Sequence, residues 1–132
     1  MASDARPELA LADTSLFIAQ ERERPIVGDP PERVAVSVIT VGELSLGVLV
    51  AAGQARAQRL QTLRRAESLE PWPITSEVAE RWAALRLSLR DAGRRMPLND
   101  SWIAATAIAE GVPVVTQDDD YDDVPGLSVI RV

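Results

Sequence analysis

Short apolar runs and longer helical patterns alternate along the first half of the chain. Residues 9–12 form an apolar run, and the helical pattern that follows it fades in the charged residues 21–24. A second apolar run covers residues 34–37, and residues 38–52 are almost wholly apolar. The pattern predicts a strand, a helix, a second strand and a long buried helix.

The same alternation continues towards the middle of the chain. Residues 55–69 carry leucines among arginines, which is typical of an amphipathic helix with a charged outer face. Trp72 stands between two prolines, so this stretch is at most a short edge strand. From Thr75, a natural N-cap, apolar residues recur at helical steps until Gly93. We therefore expect two more helices here.

The last third of the chain contains a helix between two turn signals and then two strands. Asn99 is expected to cap a helix over residues 100–110, whose uncharged interior must be largely buried. Apolar residues 112–116 predict a strand, an acidic turn follows, and residues 128–132 predict the final strand.

Strands that are continuously apolar and alternate with helices indicate an α/β fold. We expect a three-layer α/β/α sandwich around a mainly parallel sheet. A chain of 132 residues suits one domain, which we place at residues 9–132. Residues 1–8 lack the features of a signal peptide and are expected to form a disordered tail of a cytoplasmic protein. Glu43, in the middle of the most apolar segment, argues against a membrane span.

The composition narrows the possible chemistry. The chain has no cysteine, no histidine and no lysine, and all 14 basic residues are arginine. This excludes zinc sites of the usual kinds, thiol nucleophiles, histidine-based acid–base catalysis and lysine-dependent phosphate sites. A net charge of −6 argues against binding nucleic acid through an overall positive field, although not against a local basic groove. Chemistry must therefore rest on carboxylates, hydroxyls or arginines.

Three aspartates lie where α/β folds place their ligands, beyond the carboxyl ends of parallel strands. Asp13 follows the first strand, Asp118 follows the strand at residues 112–116, and Asp100 opens the helix that leads to that strand. Each has a structural alternative. Asp13 and Asp100 could cap helices, and Asp118 could belong to a solvated turn.

Glu43 is the only charged residue between positions 38 and 52, so its carboxylate lies on an apolar helix and needs a partner. A capping box with Thr40 is the structural alternative. Carboxylates about 4 Å apart repel by roughly 4 kcal/mol, so a cluster of them takes up protons or binds a cation. Oxygen ligands suit Mg²⁺ or Mn²⁺, and such sites hydrolyse phosphodiesters without histidine.

These residues form a pattern that resembles the PIN-domain family, specifically the VapC-like toxins of bacterial toxin–antitoxin pairs. The resemblance spans nearly the whole chain from Leu9, and four motifs occur in the family's order. They are Leu-Ala-Asp13-Thr14-Ser15, Ser37-Val-Ile-Thr40-Val-Gly-Glu43-Leu44, Asn99-Asp100-Ser-Trp-Ile-Ala-Ala and Val-Val-Thr116-Gln-Asp118-Asp-Asp120-Tyr121.

The resemblance implies a metal-dependent endoribonuclease that cuts structured RNA, such as a tRNA or ribosomal RNA, and leaves a 5′-phosphate and a 3′-hydroxyl. Asp13, Asp100 and Asp118 would hold Mg²⁺ or Mn²⁺, and Glu43 would be a further ligand or would orient the attacking water. The resemblance also implies a homodimer and a small cognate antitoxin. Residues that would orient the ligands are Thr14, Ser15, Asn99, Thr116 and Asp120.

The last motif departs from the family's pattern. It contains three consecutive aspartates, so either Asp118 or Asp120 could be the fourth acid, and Tyr121 stands where the family usually has phenylalanine. Arg94 and Arg95, just upstream of Asp100, are the arginines most favoured to receive RNA phosphates; the other arginines are more typical of solvated helix faces.

Two other functions compete with a nuclease. A dehalogenase-like phosphatase would use Asp13 as its nucleophile, but it needs a second aspartate where Ser15 stands and a lysine that the chain lacks. A PIN-like module that binds RNA or a partner without cutting is the stronger alternative, and metal-independent RNA binding would favour it.

Overall fold

The computed structural model describes residues 8–132. Of the tail expected at residues 1–8, only Glu8 lies within this range, and its side chain pairs with Arg33 at 2.9 Å. The elements are β1 (Leu9–Ala12), α1 (Thr14–Glu21), β2 (Arg33–Val36), α2 (Val38–Val50), α3 (Gly53–Glu67), α4 (Ser76–Asp91), α5 (Leu98–Glu110), β3 (Val114–Thr116) and β4 (Val129–Arg131).

The four strands form one sheet in the order β2-β1-β3-β4, and every neighbouring pair is parallel. Leu11 of β1 is in register with Ala35 on one side and with Val114 on the other. Parallel neighbours require crossover connections. Helices lie in the connections from β1 to β2 and from β2 to β3, whereas a loop over residues 117–128 connects β3 to β4. Because every neighbouring pair is parallel, the carboxyl ends of all four strands lie at the same edge of the sheet.

Two apolar cores lie on opposite faces of this sheet, because neighbouring residues of a strand point to opposite faces. Leu11 and Val114 pack with Leu85 of α4 and Ile103 of α5 in one core. The other core contains Val115 from the sheet and residues of α1, α2 and α3. Helices therefore cover both faces, and the expected three-layer α/β/α arrangement is confirmed.

Two of the predicted helix starts are confirmed and one is wrong. The Ser37 hydroxyl accepts a hydrogen bond from the Ile39 amide at the start of α2, and Thr75 caps α4 in the same way. Helix α5, however, begins at Leu98 after Pro97, so Asn99 lies inside the first turn and does not cap it. Pro97 has a φ angle near its ring-imposed value and no amide proton to satisfy, which lets the helix begin earlier than expected.

Several boundaries also differ from the expectation. Helix α2 ends at Val50, and Gly53, expected to close it, instead begins α3 with a φ of 61° that glycine adopts without strain. Strand β3 begins at Val114, after Pro113. Trp72 forms a single bridge with Ser37 rather than a strand. Within residues 8–132, no helix is long and apolar enough to span a bilayer.

Candidate functional site

The acidic residues singled out in the sequence gather at the carboxyl edge of the central strands. Asp13 directly follows β1, and Asp118 comes two residues after β3 ends at Thr116. Strands β1 and β3 are hydrogen-bonded neighbours, so their ends are adjacent. Asp100 reaches the same edge from the first turn of α5. The parallel sheet therefore brings together residues that are far apart in the sequence.

Asp13 is buried, with only 2% of its surface exposed. It occupies the N-cap position of α1, but its side chain makes no capping hydrogen bond. Instead, Oδ1 accepts a hydrogen bond of 2.6 Å from the Ser15 hydroxyl. Burial raises the pKa of Asp13 to about 6, against the opposing effect of hydrogen bonds from Ser15 and Thr116. Asp13 thus occupies the N-cap position of α1, and the Ser15 hydroxyl is the partner of its Oδ1.

Hydroxyl groups tie the two central strands together beneath this carboxylate. The hydroxyl oxygens of Ser15 and Thr116 are 3.3 Å apart. Ser15 also accepts a hydrogen bond of 3.0 Å from the Gln117 amide, and Thr116 accepts one of 2.9 Å from the Asp118 amide. These bonds fix the direction in which the acidic loop leaves β3.

The other aspartates of the cluster influence one another electrostatically. Burial raises the pKa of Asp100 well above its usual range, and a hydrogen bond with Asp120 and the charges of Asp120 and Asp13 add to the effect. Burial and the charges of Asp120 and Asp119 also raise the pKa of Asp118. These carboxyl groups therefore lie close enough to disfavour one another's ionised forms.

Glu43 faces the cluster from helix α2 and is held by a threonine of a different helix. The Thr14 hydroxyl lies 2.6 Å from Oε1 of Glu43 and 3.0 Å from the hydroxyl of Thr40. Ser37 caps α2, so the capping box proposed for Thr40 and Glu43 is wrong. Thr14 thus holds the one charged residue of α2 at the sheet edge.

The remaining predicted residues differ in their surroundings. Asn99 is exposed, and its side chain makes no hydrogen bond to any residue in the range 8–132. Arg94 donates a hydrogen bond to the carbonyl oxygen of Asp122, in the loop that carries the last aspartates. Arg95 is exposed beside it.

Tyr121 lies beside the candidate acids, although the sequence singles it out only as a departure from phenylalanine. Its side chain is fully buried. The hydroxyl makes no hydrogen bond of normal geometry within the described part of the chain, but it lies close enough to Asp100 for the two groups to shift each other's pKa. Burial raises the pKa of Tyr121 far above its usual value, and the charges of Asp13 and Asp100 contribute. The aromatic ring belongs to the core, whereas its neutral hydroxyl lies beside the acids.

The donor set suits a hard divalent cation. The cluster supplies carboxylate and hydroxyl oxygens without nitrogen or sulfur, which are the ligands that Mg²⁺ and Mn²⁺ prefer. The raised pKa values of Asp13, Asp100 and Asp118 reflect burial and repulsion that a cation would offset. Among residues 8–132, no group of three or more acidic side chains stands in an arrangement that could hold a metal ion.

Comparisons with known proteins agree with the fold and the motif order. Residues 10–127 match the model of the PIN domain. The chain is 50% identical over 129 residues to Ribonuclease VapC4 of Mycobacterium tuberculosis, covering 93% of this chain and 96% of that protein. It is 44% identical over 131 residues to Ribonuclease VapC5 of the same organism, covering 96% and 97%.

A solved structure adds the three-dimensional likeness. A chain in the crystal structure of VapBC-5, a member of the VapBC family of toxin–antitoxin systems from Mycobacterium tuberculosis, superposes with a TM-score of 0.83 and 45% identity. The match covers 96% of this chain and 100% of that one. The sequence motifs, the parallel sheet with its acidic edge and these likenesses agree, and the chain belongs to the PIN-domain family, within its VapC group.

Proposed function

We propose that the chain is a Mg²⁺- or Mn²⁺-dependent endoribonuclease that acts in the cytoplasm as the toxin of a toxin–antitoxin pair. The observation that carries the proposal is the meeting of Asp13, Asp100 and Asp118 at the ends of two adjacent parallel strands, where each has a raised pKa. Two relatives that are at least 44% identical are named as ribonucleases, which supports the same activity here.

Asp13, Asp100 and Asp118 would hold the metal, with Asp120 as the alternative to Asp118. Bound there, the metal would activate a water molecule and neutralise charge at the scissile phosphodiester. Ser15 and Thr116 keep Asp13 and the acidic loop in position through the hydroxyl contacts already described. The protein's own contribution is to hold several carboxylates in one half-buried place.

Glu43 would ligate the metal or orient the attacking water. Oε1 of its carboxylate accepts a hydrogen bond from the Thr14 hydroxyl, so that bond does not use the second oxygen. A carboxylate held in this way can accept a proton from a water molecule without first changing its own position. Asn99, exposed in the first turn of α5, would contact the substrate or a ligand there.

The expected partners are structured RNA, such as a tRNA or ribosomal RNA, a small cognate antitoxin and a second copy of the chain. The likeness to the VapBC-5 structure, whose description names a toxin–antitoxin system, supports the antitoxin. Exposed apolar side chains on α2, including Leu46 and Leu49, offer a surface for a protein partner.

Expression in a bacterial host, beside the Asp100→Asn variant, tests the activity without a known substrate. New RNA 5′-phosphate ends are mapped across the transcriptome, and Asp29→Asn, an exposed aspartate away from the cluster, is the matched control. We expect new ends at defined sites for the wild-type chain and for Asp29→Asn, and none for Asp100→Asn.

Two outcomes would contradict the proposal. If Asp100→Asn cut RNA as well as the wild-type chain does, the acid cluster would be excluded from the mechanism. A folded wild-type chain that creates no new ends but binds RNA in EDTA would favour the non-catalytic binding module.

A further inference from the structure

A cleft between the end of α4 and the start of α5 is lined by four arginines. Its volume is about 450 Å³, and its walls are formed by Arg86, Arg90, Arg94 and Arg95 together with Leu89 and Met96. The chain as a whole has a net charge of −6. The positive charge of this concave surface therefore contrasts with the negative net charge of the chain.

Among residues 8–132, no carboxylate forms an ion pair with these arginines. The ion pairs found among residues 8–132 are Arg33 with Glu8 and Arg131 with Asp122, and neither involves the cleft. Arg90 and Arg95 are exposed. Surface arginines in a chain with 20 acidic residues could readily pair with them, so four unpaired guanidinium groups in one cleft are free to receive an anion.

Two of the four arginines are held in place. Arg86 donates a hydrogen bond of 3.2 Å to the carbonyl oxygen of Met96, and its guanidinium lies 6.0 Å from the ring centre of Trp82. Trp82 is itself stacked on Trp102 with ring centres 4.2 Å apart. Arg94 is bonded to the carbonyl oxygen of Asp122. Bonds to neutral carbonyl groups orient these side chains but leave their charge uncompensated.

The cleft is connected to the acid cluster by a short stretch of chain and by one hydrogen bond. Asp100 follows Arg95 by five residues, which limits their Cα separation to at most roughly 18 Å. Arg94 contacts the backbone of the loop that carries Asp118 and Asp120. A polyanion whose scissile phosphate lies at the acids would thus reach the cleft within a few nucleotides.

We propose that the cleft lined by Arg86, Arg90, Arg94 and Arg95 binds the phosphate backbone of the RNA substrate beside the cleavage site. This inference rests on the proposed nuclease function. It extends the pair predicted from the sequence, Arg94 and Arg95, to a cleft that also contains Arg86 and Arg90. Phosphate contacts supply affinity and orientation without reading the base sequence. The cleft would therefore hold the strand while the acids act on one bond.

The test uses the full chain carrying Asp100→Asn, in EDTA, so that binding is measured without cleavage. The probe is a fluorescein-labelled RNA hairpin of 30 nucleotides, and its affinity is measured by fluorescence anisotropy at several salt concentrations. The test variant adds Arg90→Ala and Arg95→Ala. The matched control adds Arg56→Ala and Arg64→Ala, two exposed arginines of α3 that remove the same charge from a different surface.

We expect the cleft variant to bind the RNA at least tenfold more weakly and to lower the slope of log affinity against log salt by about 2, one for each arginine removed. The control should bind like its parent. If both double variants weakened RNA binding equally, the effect would depend on the overall charge and not on the cleft. That result would overturn the proposal. Displacement of the RNA by a decaglutamate peptide at equal charge concentration would also overturn it, in favour of an acidic protein partner.

Cleavage by the same arginine variants with Asp100 restored, in Mn²⁺, separates the two proposals. If the wild-type chain cuts RNA and the cleft variant binds and cuts equally well, the cleft proposal fails and the nuclease stands. If the wild-type chain neither cuts nor binds RNA, the proposed function itself fails.

Discussion

The acid cluster has two halves that differ in how well their polar groups are satisfied. Around Asp13, the hydroxyls of Ser15 and Thr116 provide hydrogen bonds and link the ends of β1 and β3. Around Asp100, the interacting groups are another carboxyl, Asp120, which raises its pKa, and the Tyr121 hydroxyl, which makes no hydrogen bond of normal geometry among the residues described. One half is a closed network, whereas the other is a set of groups that repel or lack partners.

The difference follows from the elements that build each half. The partners of Asp13 come from two adjacent strands, whose spacing the sheet sets, so short side chains meet at hydrogen-bonding distance. Asp100 comes from a helix of one outer layer and Asp120 from a loop, and no ladder of hydrogen bonds fixes their separation. Unsatisfied polar groups of this kind are typical of sites that are completed by a ligand. The Asp13 half is therefore fixed by hydroxyl hydrogen bonds, and among residues 8–132 no comparable hydroxyl network surrounds Asp100.

The largest expected effect comes from neutralising either half. Asp13→Asn and Asp100→Asn should each reduce metal-dependent RNA cleavage by about a thousandfold or more, because loss of a ligand removes several kcal/mol of transition-state stabilisation. Purified variants are assayed in Mn²⁺, with Asp29→Asn as the control. A variant with full activity would exclude that half from the site.

The second-largest expected effect is a change of stability with pH, which arises from the buried carboxyl group of Asp13. The folded pKa of Asp13 is about 6, above 3.8, so the folded state binds more protons than the unfolded state between pH 4 and 6. Its contribution to stability is present at low pH and is lost as the pH rises through 6. In EDTA, Asp13→Asn should therefore be nearly as stable as wild type at pH 4 and more stable at pH 8, by up to about 3 kcal/mol.

Urea unfolding at both pH values measures this difference, with Asp29→Asn as the reference for a simple loss of charge. A stability difference that does not change with pH would show that Asp13 is not held in a protonated state by burial.

Substitution of Thr14 tests the contact that holds Glu43. Thr14→Val removes the hydroxyl that lies 2.6 Å from the carboxylate, and the loss of a hydrogen bond to a charged group should slow cleavage about tenfold. Thr14→Ser retains a hydroxyl and should remain close to wild type. Equal rates for the valine and serine variants would mean that the contact does not position Glu43 for the reaction.

The smallest expected effect lies at Tyr121. An unsatisfied buried hydroxyl costs about 1 to 3 kcal/mol, so Tyr121→Phe should leave the metal-free protein as stable as wild type or more stable by about 1 kcal/mol. Chemical denaturation in EDTA measures the change. A loss of more than 1 kcal/mol would show that the hydroxyl is bonded, and that the Asp100 half resembles the Asp13 half after all.

Much of the fold could be predicted because apolar periodicity reports which face of an element is buried. The almost wholly apolar segment after Ser37 became α2, and the uncharged interior of α5 became one of the most buried parts of the chain. The errors lie at boundaries. Asn99 was expected to cap α5, yet Pro97 precedes the helix, because a good capping residue is only one of several ways to begin a helix.

The candidate site was predicted in outline. The positions of Asp13 and Asp118 after strands placed them at one edge, since parallel strands share the end at which their ligands bind. The contact between Thr14 and Glu43 joins residues of different helices and leaves no local signal in the sequence. The same is true of the bond from the Gln117 amide to Ser15.

The sequence by itself determined the class of chemistry, because a chain without cysteine, histidine or lysine has only oxygen ligands and arginines to use. It also determined the alternation of strands and helices, which is a local property of apolar spacing. Only the tertiary structure decided which hydroxyl holds which carboxylate, that Tyr121 is buried beside Asp100, and that four arginines share one cleft. These features depend on distances between residues that are remote in the chain, and such distances are set by packing and not by local sequence.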